Sequence, residues 1–251
     1  MTNDYENEIE NLQKLKHENI ITFIGACIKI DKTFIVMEYC QKGRLFDYLH
    51  MPDKPVTTNV VLEWSFQIAS GMSYLHRHNI IHRDLKSPNI LINENYILKI
   101  SDFGLSKPIL TGSTKMPFAG TTSWMSPEVI RGEACSETVD VWAYGVILWE
   151  LFTLQIPYED FEQTCIIFGI GSDTLSLPIP ITFPKSFREL IKKCLDTNPD
   201  NRPSFKNILK CIENNAQELL KISSKKFVTY QKEWKQECDL FKSRKELFSF
   251  L

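Results

Sequence analysis

The run Val139–Leu154 constrains this chain more than any other feature, because it is apolar almost all the way round. A helix without a polar face has to be buried on every side, so the run predicts a helix at the centre of a domain. The part from Val139 to Phe152 also carries two carboxylates, Asp140 and Glu150, and is too short and too charged to span a bilayer. With 251 residues, 43% of them apolar and 24% charged, the chain has enough material for one sizeable or two-lobed domain. A net charge of -2 gives no reason to expect nucleic acid or an anionic membrane surface as partner. The polar, acidic start Met1–Glu8 does not read as a signal or transit peptide.

Other elements follow from periodicity. Residues 5–16 place Ile9, Leu12 and Leu15 on one side of a predicted helix. Two apolar runs, Ile20–Ile28 and Thr33–Tyr39, are split by Lys29-Ile-Asp-Lys32 and read as a β-hairpin of largely buried strands. Residues 60–77 repeat Trp64, Ile68, Met72 and Leu75 at helical spacing. Residues 79–130 read mostly as loops and short strands. Pro178, Pro180 and Pro184 precede another helix at Ser186–Leu195. From about Asn214 the composition turns to Lys, Glu and Gln, with Phe227, Tyr230, Trp234 and Phe241 on one face of a predicted amphipathic helix. Packing on the domain is the favoured role for that tail, and a partner contact the alternative. The seven cysteines show no Cys-x-x-Cys spacing, and their odd number points to thiols in a reducing compartment, hence a cytoplasmic location.

The chemistry sits in two motifs, His82-Arg-Asp-Leu-Lys-Ser-Pro-Asn89 and Asp102-Phe-Gly104. Together they resemble the catalytic loop and metal loop of the protein kinase superfamily, and the resemblance extends from about Glu8 to Glu213. Gly120-Thr-Thr-Ser-Trp-Met-Ser-Pro-Glu128 resembles the end of the activation segment. Asp140-Val-Trp-Ala-Tyr-Gly145 resembles the buried helix whose Asp braces the catalytic loop. Asn198-Pro-Asp-Asn-Arg-Pro203 resembles the closing motif, in which Arg202 pairs with Glu128. Ser126 stands where alanine is usual, a small-for-small change expected to be harmless.

The resemblance implies an α+β fold of two lobes, with a truncated β-rich upper lobe (1–40) and a mainly α-helical lower lobe (41–213). These form one kinase domain over 1–213, followed by the helical tail 214–251. It implies ATP and Mg²⁺ as cofactors and a protein serine or threonine hydroxyl as acceptor. Asp84 accepts the hydroxyl proton, Lys86 offsets phosphate charge, and Asn89 and Asp102 hold the metal. Gly104 allows the turn beside Asp102. Met37 guards the back of the adenine pocket, Glu38 and Cys40 offer backbone groups to adenine, and Leu91 forms the floor. Arg83 implies control by phosphorylation of the 105–121 segment, with Thr111, Ser113 and Thr114 as candidates.

Lys86, Thr121 and the Trp124-Met125 pair are similar to the tyrosine-kinase-like branch and favour serine/threonine specificity in signalling. One departure stands out. Glu8 aligns with the glutamate that pairs with the third-strand lysine, with Leu12 and Phe23 stacking towards Phe103 and His82. Yet residues 1–7 contain no lysine, no Gly-x-Gly-x-x-Gly loop and no Val-Ala-Ile-Lys strand. The apolar faces of the first helix and the hairpin are therefore expected to lack cover. The alternative reading is a catalytically impaired, kinase-like interaction module, working through the exposed upper-lobe surface or the C-terminal helix.

Overall fold

The structure, a computed structural model, describes residues 13, 15–28, 33–51, 56–102, 107–108, 114–115 and 122–242. The architecture is α+β: short antiparallel strand pairs set against a mainly helical body. Most of the expected helix at 5–16 lies outside the described residues, as do Glu8, Leu12, Phe103, Gly104, Thr111, Ser113 and Thr121.

The hairpin forms as β1 (Phe23–Ile28) and β2 (Thr33–Met37), paired in antiparallel register from Phe23↔Met37 to Ile28↔Thr33. Its expected burial does not hold. Ile24 is 64% exposed, Phe34 51% and Val36 50%. Among the described residues β1 and β2 pair only with each other, so the outward side chains of the pleat meet no second layer.

The body is organised by two helices, flanked by the short α1 (Leu45–His50). The first, α2 (Thr58–Arg77), starts at Thr57, whose side chain accepts from the Val60 amide. It buries Val61, Trp64, Ile68, Met72 and Leu75, one stripe at helical spacing. Gly71 lets this helix approach the strand beneath, since a Cβ there would lie 2.7 Å from Ile100 Cδ1 and 3.1 Å from the Asn19 carbonyl oxygen. The strands beneath are β4 (Ile90–Ile92) and β5 (Leu98–Ile100), antiparallel with Leu91 opposite Lys99. A two-residue strand β3 (Ile80–Ile81) pairs with β6 (Lys107–Pro108), and β7 (Thr114–Lys115) pairs with β8 (Ala134–Cys135).

After the four-residue α3 (Pro127–Ile130), the second organising helix is α4 (Thr138–Thr153), buried at every position from Val139 to Thr153. Gly145 brings it against α6 (Lys185–Cys194), where a Cβ would fall 2.7 Å from Cys194 Cβ. A further helix, α5 (Gln163–Gly171), follows α4 in the chain. Helix α7 (Phe205–Leu220) runs unbroken through Asn214, and α8 (Ser224–Lys242) follows. Phe227, Trp234 and Cys238 of α8 are buried in the same core as α4. The Trp234 ring lies 4.5 Å from that of Phe183, and its Nε1 donates to Thr182 Oγ1 at 2.9 Å. All seven cysteines are free thiols, and no described helix is long and apolar enough to cross a membrane.

Candidate active site

The loop 82–89 is hung from α4. Both oxygens of the buried Asp140 carboxylate accept from the loop backbone: Oδ2 from the His82 amide at 2.9 Å and Oδ1 from the Arg83 amide at 2.9 Å. These bonds hold Arg83 at φ 70, a left-handed conformation that a bulky residue keeps only when its surroundings fix it. His76 Nε2 lies 2.9 Å from the same Oδ2. Burial alone would raise the Asp140 carboxyl pKa. The hydrogen bond and charge of His76 and the proximity of His82 outweigh it and hold the group below its ordinary value.

His82, fully buried, sets the next turn. The Asp84 amide donates to His82 Nδ1 at 3.3 Å, so Nε2 carries the proton and donates to the Ser101 carbonyl at 3.0 Å. The Asp84 carboxylate then gathers the other expected residues. Lys86 Nζ lies 2.8 Å from Oδ2 and 3.0 Å from Oδ1, and Asn89 Nδ2 donates to Oδ2 at 2.9 Å. The same Nδ2 donates to the Asp84 carbonyl at 2.8 Å. Asp84 and Lys86 remain partly accessible, with side chains 17% and 13% exposed.

Asp102 is brought to this cluster by its predecessor. Ser101 donates twice to the Asn89 carbonyl, from its amide at 2.9 Å and its hydroxyl at 2.8 Å. Asp102 follows at φ 64 and is exposed. The structure therefore brings Asp84, Lys86 and Asn89 into one hydrogen-bonded group, with Asp102 anchored beside it through Ser101. Arg202 pairs bidentately with Glu128 at 2.6 and 2.8 Å, as the resemblance implies.

The four residues expected around adenine are distributed differently. Cys40 is buried, and the turn after it lies on β4: the Lys42 amide donates to the Ile92 carbonyl at 3.0 Å and the Ile92 amide to the Gly43 carbonyl at 2.8 Å. That places Leu91, half-buried, beneath the turn. Met37, by contrast, ends the exposed hairpin and is 41% exposed. Glu38 holds the junction through its carboxylate, which accepts from the Thr22 amide and hydroxyl at 2.7 Å each and pairs with Lys99 at 2.9 Å. Burial raises its pKa less than the Thr22 and Lys99 contacts lower it.

Sequence reasoning missed Lys99, Thr22, Ser87 and Glu150 as contributors. For Lys99 a signal existed: it is the one charged residue of an otherwise apolar strand, opposite Leu91. For Glu150 the signal was a carboxylate inside the most apolar run of the chain.

Comparison with known proteins adds the family. A family model described as protein tyrosine and serine/threonine kinase matches residues 1–212. Mitogen-activated protein kinase kinase kinase 12 of Rattus norvegicus is 48% identical over 235 residues, covering 94% of this chain and 26% of that protein. Mitogen-activated protein kinase kinase kinase 13 of Homo sapiens is 48% identical over 232 residues, covering 92% of this chain and 24% of that protein. The corresponding kinase dlk-1 of Caenorhabditis elegans is 44% identical over 238 residues, covering 94% of this chain and 25% of that protein. The chain thus spans about a quarter of the length of the curated relatives it matches. With the family model matching most of its length, this chain belongs to the protein tyrosine and serine/threonine kinase family.

Proposed function

We propose that this chain transfers the γ-phosphate of ATP to a serine or threonine hydroxyl of a protein acceptor, in signalling. The observation that carries the reading is the clustering of Asp84, Lys86 and Asn89, with Asp102 tied to it through Ser101. Phosphoryl transfer asks a protein chiefly to position its reactants and to balance charge, and this group does both. The Asp84 carboxylate takes the proton of the acceptor hydroxyl as that oxygen bonds to the γ-phosphorus. The bond between the γ-phosphorus and its bridging oxygen breaks, and ADP leaves with the electron pair. Lys86, already drawn to Asp84, balances the charge of the transferring group.

Asn89 and Asp102 fit a hard divalent cation. Among the described residues no three His, Cys, Asp or Glu side chains converge as a cage. One amide oxygen and one carboxylate suit Mg²⁺, which keeps several of its waters. When bound, Mg²⁺ neutralises phosphate charge. Cys40 and Glu38 offer backbone groups to adenine, Leu91 supports its underside, and Met37 stands at the pocket's rear edge. The unit is the domain 1–213, with lobes 1–40 and 41–213, followed by the tail 214–251, whose described part packs on it through Phe227, Trp234 and Cys238. The relatives' names describe kinases that act on mitogen-activated protein kinase kinases, so the acceptor is proposed to be of that class, in the cytoplasm.

The test is a titration of the chain with Mg-ATP, followed by phosphorylation of a protein acceptor by the chain and its Asp84→Asn variant. Saturable nucleotide binding with transfer abolished by D84N supports the reading. No binding at millimolar nucleotide would overturn it and leave the interaction-module reading, which the exposed hairpin favours.

A further inference from the structure

Glu150 lies in the last full turn of α4 and is fully buried, in the core of the molecule. Taking a carboxylate out of water costs several kcal/mol unless its oxygens are fully engaged. Each Glu150 oxygen is engaged, and by a different segment. Ser87 Oγ donates to Oε1 at 2.7 Å, and Trp124 Nε1 donates to Oε2 at 2.8 Å. Ser87 sits inside the catalytic loop, between Lys86 and Asn89. Trp124 closes the 3-10 turn Thr122–Trp124, which leads into α3 and the Glu128–Arg202 pair.

We infer that Glu150 is a positioning residue that fixes the catalytic loop against the 122–126 segment, and so sets where a protein hydroxyl meets Asp84. Its effect on transfer rests on the kinase reading above; its effect on the two segments does not. The helix α4 then anchors the site with two carboxylates ten positions apart. Asp140 takes the backbone at the loop's start, and Glu150 takes a side chain at its middle together with the turn opposite. An apolar residue at 150 could fill the space, but would leave a buried hydroxyl and a buried indole N–H without their acceptor. A glutamine preserves both contacts, its oxygen accepting from Trp124 Nε1 and its amide donating to Ser87 Oγ. Burial also pushes the Glu150 carboxyl up to about 8, against the lowering effect of the Ser87 and Trp124 bonds. Both contacts survive protonation, because Ser87 Oγ can then accept.

Two amides report on the two segments. The Asn89 amide donates to the Lys86 carbonyl at 2.9 Å, and the Met125 amide to the Thr122 carbonyl at 3.0 Å. The experiment compares the full chain with its Glu150→Leu, Glu150→Gln, Ser87→Ala and Trp124→Phe variants by hydrogen–deuterium exchange, Mg-ATP binding and phosphorylation of casein. In E150L both amides exchange about tenfold faster, and in E150Q most of that gain is recovered. S87A speeds exchange at Asn89 alone, and W124F at Met125 alone. Transfer to casein falls at least about tenfold in E150L through kcat, with KM for Mg-ATP unchanged. Wild-type protection of both amides in a folded E150L overturns the inference, as does an E150Q no better than E150L. If E150L does not fold, S87A and W124F decide, and unchanged exchange in both overturns it. A wild-type chain that phosphorylates nothing defeats the kinase reading, while the exchange data still judge Glu150.

Discussion

The hairpin β1–β2 and the helix α4 are both apolar runs, and they end in opposite surroundings. Every residue of α4 from Val139 to Thr153 is buried, whereas Ile24, Phe34 and Val36 of the hairpin are half to two-thirds exposed. An apolar run records a demand for cover; it does not record whether cover is supplied. For α4 the cover comes from α2, α6 and α8, elements distant in sequence. For the hairpin, the two strands satisfy each other's backbone and, among the described residues, receive no second layer. The polar groups follow the same division. In α4 the two carboxylates are wholly engaged, while at the hairpin's base one carboxylate, Glu38, tethers the whole element through Thr22 and Lys99.

Four experiments would break or sharpen that contrast. The largest effect is expected in the buried half, where the tail helix contributes core. Trp234→Ala should cost about 3–5 kcal/mol in chemical denaturation. A cost under about 1 kcal/mol would place α8 outside the core.

The second concerns pH. Burial raises the Glu150 carboxyl to about 8 from an ordinary 4.5, so the folded state binds a proton that the unfolded chain has released. Its contribution to stability is complete below pH 4.5 and is lost as pH rises towards about 8. The slope approaches 1.4 kcal/mol per pH unit, roughly, between those limits. Asp140, held below its ordinary value, acts the other way and withdraws stability only as pH falls through the acid range. Glu150→Gln should therefore flatten the neutral part of the stability profile and leave the acid limb. Denaturation at several pH values, with and without the substitution, checks this.

The third concerns Ser126, which stands where alanine is usual and whose Oγ is buried with no hydrogen-bond partner among the described residues. Ser126→Ala should raise stability by about 1 kcal/mol, read as a higher melting temperature. The smallest effect belongs to the hairpin. Val36→Thr, on the exposed face, should change stability by less than about 0.5 kcal/mol. A loss of more than about 2 kcal/mol would mean that the face is covered after all.

Much was legible beforehand, and the reason is locality. Trp64, Ile68, Met72 and Leu75 mark one face of a helix because the helical period is itself a sequence property. The same holds for Phe227 and Trp234. Asp84, Lys86 and Asn89 lie within six residues, so a single loop can bring them together and a motif can represent it. Ser87 and Glu150 are 63 positions apart, and Trp124 and Glu150 are 26 apart. No local pattern encodes their meeting. The pairing of Lys99 with Glu38 was hidden for the same reason. The hairpin's pairing was legible from its two runs and short connection; its burial was read both ways, as largely buried strands and as a face expected to lack cover, and only packing decides between them.

Sequence by itself determined the hairpin and the main described helices, the family to which the chain belongs, and which residues are candidates for the chemistry. These rest on period, spacing and side-chain type, which are local quantities. Tertiary structure alone decided that Ser87 and Trp124 meet on one buried carboxylate, Glu150, that Lys99 pairs with Glu38, and that Ser126 Oγ is buried with no hydrogen-bond partner among the described residues. Burial, dielectric environment and partner geometry are properties of the packed molecule. They arise only when segments dozens of residues apart are brought into contact.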